Sequence, residues 1–216
     1  MLNRKTASAF SPGNPPPSEW WRHGLIESAE VEGRTDCVLV GIVADSHDNV
    51  PMLGRAVEHF NAAGCELVIH GGDVVAPFAI EVLGDLKCPF RAIYGNNDGE
   101  KVGLKLKAAA LGGSIEEPPV QFEAGGLVIR VTHDCSDWEA EAAQHDADVI
   151  IFGHTHDTLV ETAGERNTRV GINPGECGGW LTGDCTAALL DTETRAVRII
   201  DLKLDPGMEI EGSEIS

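Results

Sequence analysis

Side chains of the types that bind metal ions recur in five short clusters, and each cluster follows an apolar segment. Carboxylate, imidazole and amide ligands in one set suit Mn²⁺, Fe²⁺, Co²⁺ or Zn²⁺, whereas Ca²⁺ and Mg²⁺ favour all-oxygen sites. The clusters therefore indicate metal-dependent chemistry. They are Asp45-Ser46-His47, Gly71-Gly72-Asp73, Gly95-Asn96-Asn97-Asp98, Thr132-His133-Asp134 and Gly153-His154-Thr155-His156.

The spacing within two clusters places pairs of these side chains on one side of the chain. Asp45 and His47 are alternate residues just after an apolar run, so a carboxylate and an imidazole can meet one cation. His154 and His156 repeat this spacing at another such point. Each motif is weak alone, because Asp-x-His arises by chance and His-x-His is compatible with surface histidines. Together they predict a site at the strand ends, where open α/β sheets place their ligands.

The elements that must position these clusters alternate between strands and helices in the first half of the domain. The continuous apolar run at 38–44 is typical of a strand covered on both faces. A helix follows, with Asn49 as a candidate cap, Pro51 in the first turn and Gly64 at the end. This alternation predicts a parallel sheet. Further strands are predicted at 66–70 and 90–94, and further helices at 77–86 and 102–111.

The second half is predicted to contain more antiparallel strands. Segments 120–123 and 127–132 are separated by Ala-Gly-Gly, which is typical of a hairpin turn. The predicted fold class is α/β, with two face-to-face β-sheets flanked by helices in an α/β/β/α sandwich. The remaining predictions are a helix at 138–145 and strands at 149–152, 158–162, 168–172, 186–191 and 197–202.

Composition divides the chain into three parts. Residues 1–36 contain a run of three prolines and no sustained period, and we expect a disordered extension in which Trp20 and Trp21 pack loosely. Residues 37–204 form the predicted α/β domain that carries the five clusters, and residues 205–216 form an acidic tail.

The charge balance of the chain argues against nucleic acid as a partner. The chain has 16 basic and 35 acidic side chains, a formal net charge of −19, and nonspecific nucleic-acid binding normally needs a basic surface. A large nucleic-acid surface is therefore not expected.

No apolar run approaches the roughly 20 residues of a membrane span, and no signal peptide is recognised, so we expect no membrane association and a cytoplasmic location. The six cysteines contain no Cys-x-x-Cys pair and are expected to be buried free thiols.

The order of the five clusters, each after an apolar strand, resembles that of the calcineurin-like metallophosphoesterase superfamily. The resemblance runs from about Val38 to Leu202. The short chain and the segments 172–176 and 179–183 look like the compact archaeal and bacterial phosphodiesterases of the YfcE and MJ type.

This resemblance implies a two-metal centre. Two divalent cations about 3.5–4 Å apart share a hydroxide that attacks phosphorus in line, while they neutralise the phosphoryl and leaving oxygens. Mn²⁺, Ni²⁺, Fe²⁺, Co²⁺ and Zn²⁺ are all compatible. Asp73, Asn96 and His133 are the expected catalytic residues. By the resemblance, one ion is bound by Asp45, His47 and His156, the other by Asn96, His133 and His154, and Asp73 bridges them.

Two positions depart from the superfamily pattern. Asn97 stands where many relatives have a histidine thought to protonate the leaving group, and an amide cannot act as that acid. Asp134 follows the histidine ligand where glycine is usual, and its carboxylate either bonds His133 or faces solvent. We expect His70 to be a hydrogen-bonded structural histidine and Asp98 to hold the Asn96 loop through backbone hydrogen bonds.

The sequence thus predicts a metal-dependent phosphodiesterase acting on a small soluble phosphoester. Three alternatives remain: a noncatalytic protein-binding scaffold of the same fold, as in the retromer subunit of this superfamily, a phosphomonoesterase, or a nuclease. The scaffold is disfavoured because all seven ligand positions hold competent residues. The native metal, substrate and oligomeric state are not predicted.

Overall fold

The computed structural model describes residues 37–164, 168–208 and 214–215. The extension predicted for residues 1–36 lies outside the described residues. In chain order, the elements are β1 (Leu39–Val43), α1 (Val50–Ala63), β2 (Leu67–His70), a 3₁₀ helix (Ala79–Asp85), β3 (Phe90–Ile93), α2 (Lys101–Ala110), β4 (Ser114–Glu116), β5 (Val120–Ala124), β6 (Leu127–Val131), α3 (Trp138–His145), β7 (Val149–Ile151), β8 (Thr158–Ala163), β9 (Arg169–Pro174), β10 (Thr186–Asp191), β11 (Val197–Asp201) and β12 (Glu214–Ile215).

The strands form two sheets. One has the order β12-β11-β10-β1-β2-β3-β4, and the other has the order β5-β6-β7-β9-β8. Strands β1 to β4 are parallel to one another, as are β6, β7 and β9. The antiparallel pairs are β1–β10, β10–β11, β11–β12, β5–β6 and β8–β9. The mixed sheets confirm the predicted fold class.

Three apolar layers hold the sheets and helices together. Between the sheets lie aliphatic side chains such as Ile42 and Ile69 on one side and Ile151 and Ile172 on the other. A second cluster packs α1, the 3₁₀ helix and α2 on the outer face of the larger sheet. A third, around Trp138 of α3, covers the outer face of the smaller sheet. The sequence of layers is therefore helices, sheet, sheet, helix.

Helix α1 has the predicted ends. The Asn49 side chain accepts a hydrogen bond from the Met52 N–H, and Gly64 ends the helix in the left-handed region with φ of 78°. With 14 residues it is the longest helix described, and none of the described helices is long and apolar enough to cross a bilayer. All six cysteine thiols are free, but only Cys65, Cys177 and Cys185 are buried, whereas Cys37 is exposed and the other two are partly buried.

The structure corrects the sequence prediction in three places. The helix predicted at 77–86 is a 3₁₀ helix without a side-chain cap. Strands β4 and β12 were not predicted; β4 extends the parallel part of the larger sheet, and β12 lies within the predicted acidic tail and pairs with β11. The remaining predicted strands and helices are present, with bounds shifted by at most two residues.

Candidate metal centre

The predicted ligand clusters follow five parallel strands and converge in space. Asp45 and His47 follow β1, Asp73 follows β2, and Asn96 follows β3. From the smaller sheet, His133 follows β6, while His154 and His156 follow β7. The loops at the carboxyl ends of these strands, from both sheets, therefore meet in one region. The structure brings all seven predicted ligand residues together.

The first group consists of Asp45, His47 and His156. Asp45 Oδ1 lies 3.8 Å from His47 Nε2 and 3.7 Å from His156 Nε2. The two imidazole Nε2 atoms are 3.3 Å apart. Three ligand-type atoms thus face one small volume, and this set is one of two among the described residues that could hold an ion.

The second group consists of Asn96, His133 and His154. Asn96 Oδ1 lies 3.0 Å from His133 Nε2 and 2.9 Å from His154 Nδ1. His133 Nδ1 is 2.9 Å from the Gly71 carbonyl oxygen. Because a carbonyl only accepts, His133 carries a proton on Nδ1, and Nε2 is the ring nitrogen that faces the oxygen atoms of Asn96 and Asp73.

Asp73 lies between the two groups. Its Oδ2 is 3.7 Å from His47 Nε2 and 3.4 Å from His133 Nε2. Asn97 donates its backbone N–H to Asp73 Oδ1 at 2.8 Å and its side-chain amide to Asp73 Oδ2 at 2.7 Å. Asp45 is also central, because its Oδ1 is 4.0 Å from His133 Nε2. The second set that could hold an ion is accordingly Asp45, Asp73 and His133.

The chemistry of Asp45 fits a cation. Its side chain is fully buried, and Oδ1 has no hydrogen-bond partner among the described residues. Burial raises the pKa of this carboxyl group above its usual value, although His133 and His156 act in the opposite direction. A buried carboxylate oxygen without a hydrogen bond is costly unless an ion compensates it. The residues present therefore fit a divalent metal.

Asp73 and His133 influence one another's protonation. Burial acts to raise the pKa of Asp73, but hydrogen bonds with His133 and Asn97 outweigh it, and the pKa falls below its usual value. Burial acts to lower the pKa of His133, but its bonds with Asp73 and the Gly71 carbonyl raise it above the usual value. The arrangement therefore keeps Asp73 ionised and available as a ligand.

The backbone at the ligands adopts a rarely populated conformation. The φ angles of Asp45, His47, Asp73, His154 and His156 are 52°, 42°, 59°, 70° and 66°. Side chains other than glycine enter this left-handed region at a cost of about 1–2 kcal/mol each. The surrounding loops must therefore hold these residues in place.

Glycines in the motifs allow the loops to approach closely. A Cβ atom added to Gly95 would lie 2.1 Å from Asp73 Oδ1, and one added to Gly153 would lie 2.6 Å from Asp45 Oδ2. A side chain at either position would displace a predicted ligand. Close packing therefore requires glycine at the first position of both the Gly-Asn-x-Asp and the Gly-His-x-His motif.

Asp98 and His70 occupy the structural roles expected of them. Buried Asp98 accepts hydrogen bonds from the N–H groups of Asp73, Val75 and Gly95, and so joins the loops after β2 and β3. Gly72 N–H donates to His70 Nδ1, and His70 Nε2 lies 3.0 Å from Ser46 Oγ.

Of the two alternatives for Asp134, the structure supports exposure to solvent. The residue is exposed, and the partner of His133 Nδ1 is the Gly71 carbonyl oxygen. The side chain of Asp134 therefore does not orient the imidazole.

Two buried residues, one at the end of β9 and one in the loop after it, support the site but were not assigned this role from the sequence. Asn173 donates to the Gly153 carbonyl oxygen and to Thr155 Oγ1, and thereby fixes the loop that carries His154. The Glu176 carboxylate lies 3.4 Å from His156 Nδ1. The polar Asn-Pro-Gly-Glu segment at the end of an apolar strand was the signal that could have indicated them.

Comparison with known proteins identifies the family. The sequence pattern of the calcineurin-like phosphoesterase superfamily domain matches residues 38–195. Phosphodiesterase MJ0936 of Methanocaldococcus jannaschii is 38% identical over 167 residues, which cover 76% of this chain and 99% of the relative.

Solved structures show the same fold. An archaeal phosphodiesterase is 37% identical, with a TM-score of 0.69 over 76% of this chain and 99% of its own. YfcE, a phosphoesterase from E. coli, is 21% identical, with a TM-score of 0.57 over 82% and 97% of the two chains. Vps29 from Cryptosporidium parvum is 18% identical, with a TM-score of 0.57 over 83% and 98%. At these lower identities the likeness concerns the fold alone. The pattern match and the archaeal relative establish that the chain belongs to the calcineurin-like phosphoesterase superfamily.

Proposed function

We propose that this protein is a divalent-metal-dependent phosphodiesterase that acts on a small phosphoester. The observation that carries the proposal is the buried Asp45 Oδ1, which faces three imidazole Nε2 atoms at 3.7–4.0 Å without a hydrogen bond from the described residues. Membership of the superfamily and the name of the archaeal relative support phosphoester hydrolysis.

Two ions are proposed, one bound by Asp45, His47 and His156 and the other by Asn96, His133 and His154, with Asp73 shared. When bound, such ions activate water for attack on phosphorus and neutralise developing charge on the phosphoryl oxygens. Mn²⁺ is the first metal to test, with Ni²⁺, Fe²⁺, Co²⁺ and Zn²⁺ as the others.

The chain's own groups fix the geometry of this site. Asn97 holds both oxygens of Asp73, and Asp98 fixes the backbone of Asp73. The side chain at position 97 is an amide, so it orients a carboxylate but supplies no proton to a leaving group. A substrate with a good leaving group is therefore favoured, and the diester preference rests on the archaeal relative.

The test is a metal analysis followed by hydrolysis assays. We expect about two divalent ions per chain, and loss of hydrolysis on chelation that Mn²⁺ restores. Asp73→Ala should abolish hydrolysis, whereas Asp134→Asn, which removes an exposed carboxylate next to His133, should retain it. Full activity of Asp73→Ala at saturating Mn²⁺ would refute the assignment of Asp73.

The substrate class is tested by comparing the rates of hydrolysis of nitrophenyl mono- and diesters at matched metal concentration and pH. A strong preference of the wild type for the monoester would make the diesterase assignment wrong. Metal binding without hydrolysis of any ester would favour the scaffold alternative, for which the likeness to Vps29 supports the fold alone.

A further inference from the structure

The loop after β9 contains a buried carboxylate that the proposed reaction does not use. Glu176 is 1% exposed. Its Oε1 accepts hydrogen bonds from the backbone N–H groups of Trp180 at 2.7 Å and Leu181 at 3.2 Å. Its Oε2 accepts from the N–H and the hydroxyl of Thr182 at 3.0 and 2.9 Å. The carboxylate is therefore held in one orientation by the loop that follows it.

The same carboxylate faces a proposed metal ligand. His156 Nδ1 is a buried atom without a hydrogen-bond partner among the described residues, and Glu176 Oε1 lies 3.4 Å from it. The opposite ring nitrogen, Nε2, faces Asp45 Oδ1 at 3.7 Å. One edge of the imidazole thus faces the ligand cluster, and the other faces a fixed carboxylate.

We propose that Glu176 is a positioning residue that selects the metal-binding tautomer of His156. A neutral imidazole carries one proton, and a carboxylate beside Nδ1 favours the tautomer in which that proton lies on Nδ1. The Nε2 lone pair is then free to bind the ion shared with Asp45 and His47. This inference rests on the metal role proposed for His156.

The backbone of Glu176 ties this contact to the end of β1. Its carbonyl oxygen accepts from Thr186 N–H of β10 at 3.0 Å. The next two residues, Cys177 and Gly178, donate their N–H groups to the carbonyl oxygens of Ala44 and Asp45, each at 3.0 Å. The loop that positions the carboxylate is therefore anchored directly beside the first ligand of the cluster.

Glu176→Gln replaces one carboxylate oxygen by an amide nitrogen of nearly the same size. If that nitrogen faces His156 Nδ1, it favours the opposite tautomer and places the proton on Nε2, where it blocks the metal. We expect the Mn²⁺ affinity of the ion at Asp45, His47 and His156 to fall roughly 10- to 100-fold. Calorimetric Mn²⁺ titration measures the affinity of each ion.

Thr182→Val is the matched control. It removes the hydroxyl that donates to Glu176 Oε2 but leaves the carboxylate facing His156, so it loosens the same loop without changing the tautomer. We expect Thr182→Val to keep nearly the wild-type Mn²⁺ affinity. If Glu176→Gln binds both ions as tightly as the wild type, the inference is wrong.

The tautomer itself can be observed in the wild type, which covers the case in which Glu176→Gln fails to fold. In ¹⁵N spectra of the metal-free protein, we expect neutral His156 to carry its proton on Nδ1, with its signals assigned by their loss in His156→Gln. Metal-free wild type with the proton on His156 Nε2 would overturn the role of Glu176, while Mn²⁺ binding by the same protein would still support the ligand role of His156. If the wild type binds no ion at His156, both proposals fail.

Discussion

At the scale of single residues, His70 is a fully buried imidazole three positions before Asp73. Burial lowers its pKa from 6.5 to about 3, because the charged form would lose its hydration. His70 therefore binds a proton near pH 6.5 in the unfolded chain but only near pH 3 in the folded protein. The shift therefore contributes almost nothing to stability above pH 6.5 and destabilises the fold progressively as the pH falls below that value.

We predict that the free energy of unfolding of the metal-free protein falls below pH 6.5, with His70 contributing up to about 1.4 kcal/mol per pH unit. His70→Gln should remove this part of the slope, whatever its effect at pH 7. His145→Gln, at an exposed position on α3, should retain it. Urea unfolding between pH 7 and 5 provides the comparison, and parallel curves for wild type and His70→Gln would contradict the prediction.

Asn97 offers a second test at the residue scale. Asn97→His keeps the backbone N–H that binds Asp73 and adds a group able to donate a proton. We expect kcat/KM for phosphodiesters with poor alkyl leaving groups to rise by about 10²–10⁴-fold, with little change for nitrophenyl esters. Asn97→Ala, which loses the side-chain bond to Asp73, is the control. The interpretation of Asn97 fails if the histidine variant is no better than the alanine variant on any alkyl ester.

The convergence of the seven proposed ligand residues could be predicted because their clusters follow strands and occur in an order that resembles a known superfamily. The supporting contacts could not, because they join residues that are distant in sequence. Nothing local in the sequence pairs His133 with the Gly71 carbonyl oxygen or Asn97 with Asp73. Those pairings follow from the order in which the strands assemble into sheets.

At the scale of elements, the β3 loop passes so close to the β2 loop that Gly95 has no room for a side chain. Gly95→Ala would place a Cβ 2.1 Å from Asp73 Oδ1 and 2.6 Å from the Asp73 nitrogen. We expect it to displace the Asp73 carboxylate and to lower kcat/KM roughly 100-fold. Mn²⁺ titration and kinetic assays measure both effects.

Gly99→Ala is the matched control for this prediction. Gly99 lies in the same loop, and an added Cβ would meet nothing within 4 Å. Its stability and activity should remain close to those of the wild type, within about 0.5 kcal/mol of unfolding free energy. Equal losses in the two variants would mean that close packing against Asp73 is not the cause.

The elements missed from the sequence are short and have little local signal. Strand β4 has three residues, of which only Ile115 is buried, so it shows no alternation of apolar and polar positions. The segment Ala79–Asp85 buries Ala79, Ile80 and Leu83, and residues three apart lie on one face of either an α-helix or a 3₁₀ helix. In contrast, α1 has a cap, a first-turn proline and a terminal glycine, which together define both ends.

At the scale of the whole molecule, the described members of the three apolar clusters lie within residues 38–202. The sequence of residues 1–34 has no periodic apolar face. We therefore predict that a protein lacking residues 1–34 keeps the Tm and kcat/KM of the full chain. A large loss of Tm on truncation, reproduced by Trp20→Ala or Trp21→Ala in the full chain, would show that the tryptophans pack on the domain.

Five of the proposed ligands have positive φ angles, so the residues that hydrolysis requires also lower the stability of the fold. Replacement by glycine would relieve about 1–2 kcal/mol at each such position and would at the same time delete a proposed metal ligand. A library selected for heat resistance in the presence of a chelator should therefore enrich these replacements. Selection of the same library for phosphoester hydrolysis with Mn²⁺ should eliminate these replacements. A lineage that no longer needs hydrolysis could therefore gain stability by losing the proposed metal ligands.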